Sequence, residues 1–339
     1  MAITMQEIAE KLNLSIATVS RALSGKDDSV SDDTRKMILE TAEKYGYKRR
    51  KRTIRNIAFF IDRTVFQCSS QFYAGIIAGV EEELIKRKYV FQFNSIEENM
   101  KNYRDVGINI ENIVGAIFAG RVSEELVLSF RSMGVPVVLI DFNIPTEEID
   151  SVLIDDVDGI VKAFDYLYNL GHRRIGYVSL DGNEESVYNR LTGYRRALEM
   201  HNLPLDENLI ERCLGLIYEG FEAMDRMMER NREFPTAVIA YNDIIAIGAI
   251  DSIKQKGLKV PQDISVVGFD DIGIAREVVP PLTTLHVPKR AMGIIAVQHL
   301  SRLIEGKKEL VKKVLVPARL KVRKSTAAVG EAVQRKERV

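Results

Sequence analysis

From Ile57 to about Thr326 the chain repeats one unit, a short apolar run followed by an amphipathic stretch of helical period. The runs are IAFFI (57–61), VFQF (90–93), GAIFA (115–119), PVVLI (136–140), RIGYVSL (174–180), TAVIA (236–240), DISVVGF (263–269) and VKKVLV (311–316). Between them the spacing predicts helices over 72–88, 123–133, 158–170, 187–201, 219–231, 243–256 and 288–305. Strand and helix alternating this often require parallel sheets covered on both faces. The strands are too many for one comfortable domain, so the expected class is α/β with two doubly wound lobes.

Open parallel sheets bind ligands beyond the carboxyl ends of their strands. Asp62 and Arg63 follow the first run, Asp141 follows PVVLI, Asn242 and Asp243 follow TAVIAY, and Asp270 and Asp271 follow SVVGF. Arg190 opens RLTGYRRAL. Carboxylates, an amide and a guanidinium suit a polyhydroxylated ligand, because each can bond hydroxyls in pairs. Any one of these residues could equally cap a helix, as Asn242 or Asp243 would before IIAIGAI; the set together points to a cleft. His172, in LGHRR, reads as a turn residue. No glycine-rich dinucleotide loop, Walker loop, Ser-His-Asp order or HExxH occurs, so neither a catalytic constellation nor a cofactor is expected.

The first part of the chain has a different grammar. Thr4 with Glu7 forms a capping box ahead of Ile8, Ala9 and Leu12; Ser15 caps a helix from Ile16 to about Leu23; Ser31 caps a third that ends at Gly46. The third would place Met37, Ile38, Ala42 and Tyr45 on one face. Two short helices joined by a tight turn, with a third across them, make a helix-turn-helix unit. Its expected core is Ile8, Ala9, Leu12, Val19, Leu23, Ile38 and Leu39. The second helix would enter a DNA major groove by its N-terminal end, with Ile16, Ala17, Ser20 and Arg21 outward. Arg21 could grip guanine O6 and N7 together.

Charge agrees with that reading. The net charge is +0, yet residues 1–55 hold 12 Lys+Arg against 8 Asp+Glu, and Lys44 to Arg55 contains 7 bases and no acid. A basic end on a neutral chain suits a polyanion partner. No apolar run is long enough to cross a bilayer, and MAITMQEIAEKLN carries early acids where a secretory signal needs an apolar core. Cys68 and Cys213 stand apart from any His cluster, which argues against a disulfide or metal site and for the cytoplasm.

At this point the sequence resembles the lactose-repressor/galactose-repressor family of bacterial regulators. The segments that carry the resemblance are ITMQEIAEKLNLSIATVSRALSGK, VSDDTRKMILETAEKYGY, LGHRRIGYV, RLTGYRRAL, YNDIIAIGAI, VPQDISVVGFDDI, PPLTTL and RLKVRKST. The resemblance implies a homodimer on a pseudopalindromic operator and a core like a periplasmic sugar-binding protein. It assigns Ile16 and Ala17 as the base-reading pair, and Arg21 as the arginine of the reading helix. Arg190, Asn242 and Asp270 become effector contacts, joined by Asp141 and by Phe72 or Tyr73. The full DNA-contacting set is Thr4, Gln6, Ser15, Ile16, Ala17, Thr18, Ser20 and Arg21, continued by Lys48, Arg49, Arg50, Lys51 and Arg52.

Expected boundaries are a headpiece at 1–48, a basic linker at 49–56, a core at 57–326 and a tail at 327–339 without assigned role. Lobe 1 would comprise 57–154 and 286–313, and lobe 2 155–285 and 314–326. Three departures from the family pattern stand out. KRRKRTIRN joins Tyr47 to Ile57 where relatives carry a hinge helix with a leucine wedge, so phosphate contacts are expected there. Phe142 replaces a common arginine, and Val287 a common polar residue. The functional expectation is a repressor, not an enzyme, whose effector is a sugar. A purine or nucleoside effector, or a sugar-binding transport protein, are the alternatives.

Overall fold

The computed structural model describes residues 4–24, 30–47, 55–307 and 310–329, and the chain divides into two compact units at Ile54/Arg55. In the first unit α1 (Met5–Leu12), α2 (Ile16–Ser24) and α3 (Asp32–Lys44) follow one another. Thr4 accepts from the Glu7 N–H while the Glu7 carboxylate accepts from the Thr4 N–H, which closes the capping box. Asn13, at φ 53°, turns the chain left-handed between α1 and α2, a conformation asparagine tolerates better than most residues. Ser15 and Ser31 cap α2 and α3 through the Thr18 and Thr34 N–H groups.

The core of this unit is Ile8, Ala9, Val19, Ala22, Val30, Ile38 and Ala42, with Leu12 and Leu23 partly buried. Leu39 is 48% exposed, and Met37 and Tyr45 also face solvent, which corrects the expected core and the expected face of α3. The reason is geometric. Two short helices can cover only one narrow stripe of α3, and Ile38 with Ala42, one turn apart, fills it.

In the second unit β1 (Asn56–Asp62), β2 (Val90–Ile96), β3 (Ile113–Ala119), β4 (Val137–Ile140) and β5 (Asp150–Ile154) build the first sheet with β11 (Lys313–Val316), in the order β11-β5-β4-β3-β1-β2. The second sheet has the order β12-β10-β9-β8-β6-β7. Its strands are β6 (Ile175–Leu180), β7 (Ile210–Cys213), β8 (Ala237–Ala240), β9 (Ser265–Asp270), β10 (Thr283–His286) and β12 (Arg319–Lys321). All pairings are parallel except β10 with β12. β11 closes the first sheet, so the last segment of lobe 1 runs to Val316 and not to 313. The apolar residues Val314 and Val316 pair with β5 and carry the chain past the expected boundary.

The helices are α4 (Arg63–Cys68), α5 (Ser70–Lys86), α6 (Glu124–Ser132), α7 (Asp156–Asn169), α8 (Glu185–Met200), α9 (Ile217–Arg230), α10 (Asp243–Gln255) and α11 (Lys289–Ile304). The chain passes from one sheet to the other after β5, after β10 and after β11, so the two lobes share a hinge of several connections. α11 returns to the first lobe and packs on α5. That contact is close enough to need glycine: a Cβ on Gly293 would lie 2.2 Å from the Ile76 carbonyl oxygen, and one on Gly79 2.0 Å from that of Arg290.

The start of the expected tail is bound to lobe 2. The Ala327 N–H donates to Ser265 Oγ, its carbonyl accepts from the His172 ring, and the Val329 N–H donates to the Leu170 carbonyl. His172 is therefore a buried clasp, held on its other side by Thr236, and not a simple turn residue.

Candidate functional site

In the headpiece, Ile16 is 50% exposed, and Ala17, Ser20 and Arg21 also face solvent, while Val19 and Ala22 turn inward. One face of α2 is thus exposed and the other packs into the core of the unit. Thr4, Ser15 and Thr18 are engaged in caps, and Gln6 reaches Glu10. Lys48, Arg49, Arg50, Lys51 and Arg52 lie outside the described residues.

In the body, a cavity of about 390 Å³ opens between the strand ends of the two lobes. Phe72, Tyr73, Asp141, Arg190, Asn242 and Asp270 all line it. The doubly wound topology accounts for this meeting. Asp141 directly follows β4 in lobe 1, Asp270 ends β9 in lobe 2, and both adopt positive φ, 66° and 105°. Non-glycine residues rarely adopt such angles unless their surroundings enforce them. Here the tight corner turns a carboxylate inward at the end of each sheet.

Tyr73 donates to Asp141 at 2.8 Å. Burial pushes the Asp141 carboxyl up to about 7 and that of Asp270 up to about 6. Arg190, on α8, is nearly enclosed: Nε donates to Asp156 at 2.7 Å, Nη1 donates to the Tyr241 carbonyl, and Nη2 stands 3.7 Å from Asp270. Its guanidinium carbon lies over the Phe269 and Tyr241 rings, 3.7 and 4.3 Å from their centroids. The Asp156 bond makes Arg190, expected from the sequence only as an effector contact, a member of a buried structural pair as well. The same side chain braces lobe 2 and presents one edge to the cavity. Asn242 lends its side-chain oxygen to the Ile245 N–H as the cap of α10 and also lines the cavity.

The other strand-end residues serve structure. Asp62 caps α4, Arg63 pairs with Glu97 at the surface, Asp243 accepts from Thr284 and the Ile272 N–H, and Asp271 holds Arg323 and His286. Sequence reasoning missed the mouth. Arg121 reaches Glu184 at 3.4 Å and Asn143 donates to Glu185 at 3.1 Å, so two side-chain bridges cross from lobe to lobe. Both acids stand at the start of α8, four and five residues past the end of β6, beyond the strand-end positions that singled out Asp141. Among the described residues no group of three or more His, Cys, Asp or Glu could hold a metal, and no helix is long and apolar enough to cross a membrane.

The raised Asp141 carboxyl sets a pH test. The folded chain holds that proton more tightly than the unfolded chain, so its stabilising effect is complete below pH 3.8 and is lost as pH climbs to about 7. A shift of this size, discounted for contact with cleft water, amounts to roughly 1–3 kcal/mol. Asp141→Asn, which tolerates the left-handed backbone, should therefore be more stable than the parent at pH 8 and little different at pH 4. Denaturant titrations across that range check it; a stability gap that does not vary with pH would refute it.

A three-helix headpiece with an outward reading face, and a two-lobed body with an inward polar cleft, define a transcription regulator with an effector-binding domain. Residues 4–50 match the model of the bacterial regulatory proteins of the lacI family, and 164–326 match that of the periplasmic binding protein-like domain. The HTH-type transcriptional regulator DegA of Bacillus subtilis is 30% identical, with 96% of this chain and 99% of that protein aligned. Catabolite control protein A of Priestia megaterium is 32% identical over 96% of this chain and 100% of its own length. A solved structure of the transcriptional regulator CelR with cellobiose superposes with a TM-score of 0.74 at 27% identity, covering 95% and 99% of the two chains. The chain belongs to the lacI family of bacterial regulatory proteins.

Proposed function

We propose that this protein is a homodimeric repressor. It reads a pseudopalindromic operator through α2 and the basic linker, and a sugar in the interlobe cleft sets its operator affinity. The observation that carries the effector reading is the convergence of Phe72, Tyr73, Asp141, Arg190, Asn242 and Asp270 on one cavity. Polar edges on both lobes and an aromatic wall fit a ligand with several hydroxyls and an apolar face. The cellobiose complex of the related CelR supports a sugar. Phe142, Val122 and Leu214 at the rim also suit a flat base, so a nucleoside is the second reading.

No substrate chemistry is proposed, because the cleft acids are engaged in fixed pairs instead of facing a nucleophile. A transport role would leave the reading helix without purpose. The protein would act in the cytoplasm, where the operator is. Exposed Ile85, Val90 and Phe93 on lobe 1, and Leu216, Ile217 and Tyr218 on lobe 2, supply apolar surface for a second copy.

Arg21→Ala should lose about 1–3 kcal/mol of operator affinity and relax preference at one base of each half-site. Binding to the selected operator and to its single-base variants measures both; unchanged affinity with unchanged preference would sink the assignment. A thermal-shift screen with D-glucose, D-ribose, cellobiose and adenosine separates the effector classes, since only a ligand of the folded cleft raises the midpoint.

A further inference from the structure

We propose that Lys289 is a positioning residue of the cleft. From the first turn of α11 in lobe 1, its ammonium donates to the Asp270 and Asp271 carbonyls of lobe 2 and holds the corner that aims Asp270 at Arg190 and the cavity. The inference rests on the effector reading of the cleft, but its test needs no effector.

The first observation is a local rule broken. α11 opens with Lys289 and Arg290 and has no acid in its first turn, although a helix N-terminus favours negative charge. Such inconsistencies concentrate where function overrides local preference. The contacts show what Lys289 gains. Its Nζ donates to the Asp270 carbonyl and, at 3.2 Å, to that of Asp271. These two residues have φ of 105° and 53°, so the carbonyls it holds belong to a strained corner.

Its stem lies against α5, where a Cβ on Gly75 would be 3.0 Å from Lys289 Cβ. Its ammonium is 5.8 Å from the Phe72 ring, also on α5. Gln71, on the same helix, accepts from the Ile274 N–H, three residues past that corner, at 3.5 Å. One cation thereby joins the aromatic wall of lobe 1 to the backbone of the lobe 2 corner that carries Asp270.

The charges around Asp270 agree. Arg190 from α8 and Lys289 from α11 oppose the effect of burial on its carboxyl, whereas Asp156 from α7 adds to it. Asp243 from α10, and Asp141 from across the cleft, face the same space. Burial lowers the Lys289 ammonium, while Asp270, Asp243 and Asp271 hold its charge.

The test uses the full chain without ligand and three variants. Lys289→Met keeps the stem and loses the donor, Lys289→Arg keeps the charge, and Lys289→Gln can donate without charge. In Lys289→Met, amide hydrogen exchange should quicken at least tenfold at 270–274 and at 70–76, with the rest of both lobes unchanged. Lys289→Arg should restore the parent rates. Carbon-13 NMR of labelled aspartate should show Asp270 titrating higher in the Met and Gln variants than in the parent, because a cation that opposes the effect of burial is gone, and near the parent in Arg. Should Lys289→Met fail to fold, the Gln variant decides, with near-parent exchange and a raised Asp270. Parent-like exchange and titration in Lys289→Met would overturn the proposal, as would faster exchange spread evenly through lobe 2. A screen in which no sugar or nucleoside binds would defeat the effector reading and leave these measurements standing.

Discussion

Arg190→Ala is expected to lower stability by about 3–5 kcal/mol and to abolish binding in the cleft. Removing one partner of a buried ion pair costs this much because the other charge is left without compensation. Arg190 is 3% exposed and Asp156 6%, so the abandoned carboxylate would have little access to water. The Tyr241 carbonyl would lose its donor as well, and the space between Phe269 and Tyr241 would empty. Lysine should rescue poorly, since a single ammonium cannot bond Asp156 and the carbonyl in the fork geometry of guanidinium. Asp156→Asn placed in the Arg190→Ala background should recover part of the loss, because the Asp156 charge is no longer left unpaired. Urea denaturation of the four chains measures this. A loss below about 1 kcal/mol, with binding intact, would show that the pair is incidental.

Gly293→Ala should cost about 3 kcal/mol or more, the upper part of the range for overpacking. The added methyl would meet the Ile76 carbonyl oxygen at 2.2 Å and the Val80 nitrogen at 2.7 Å, and these are backbone atoms that no rotamer change can move. The helices must separate, and α5 carries Phe72 and Tyr73 into the cleft. The variant should therefore lose ligand affinity along with melting temperature, although residue 293 touches no part of the cavity. Full affinity in a destabilised Gly293→Ala chain would mean that α5 moves independently of its partner.

The features legible in sequence were those written in local spacing. The capping box needs only Thr4 and Glu7 three residues apart, and the buried central strands β1, β3, β4 and β9 announce themselves as continuous apolar runs. β7, with Glu211 and Arg212, and β12, with Arg319 and Lys321, are edge strands with polar interruptions, so nothing in their spacing separated them from loops. β5 and β10 are short and begin with polar residues, Asp150 and Thr283, that are paired only through tertiary contacts.

The cleft followed the same division. Asp141, Asn242 and Asp270 were visible because strand ends in a doubly wound fold point to one place. The bond from Arg190 to Asp156 joins different helices and could not be read from either. Nor could the reach of Lys289 across the hinge, which depends on how the lobes meet.

Repression under effector control requires one linkage, that occupancy of the cleft changes the affinity of the headpiece for its operator. The direct measurement is fluorescence anisotropy of the full chain on an operator selected from a random library. It is run with and without the compound that most raises the melting temperature, and repeated with Asp270→Asn. The compound should change operator affinity at least fivefold, the lower end of ordinary allosteric coupling, and Asp270→Asn should keep the DNA affinity while losing the response. A compound that stabilises the core yet leaves operator affinity unchanged at saturation would contradict it.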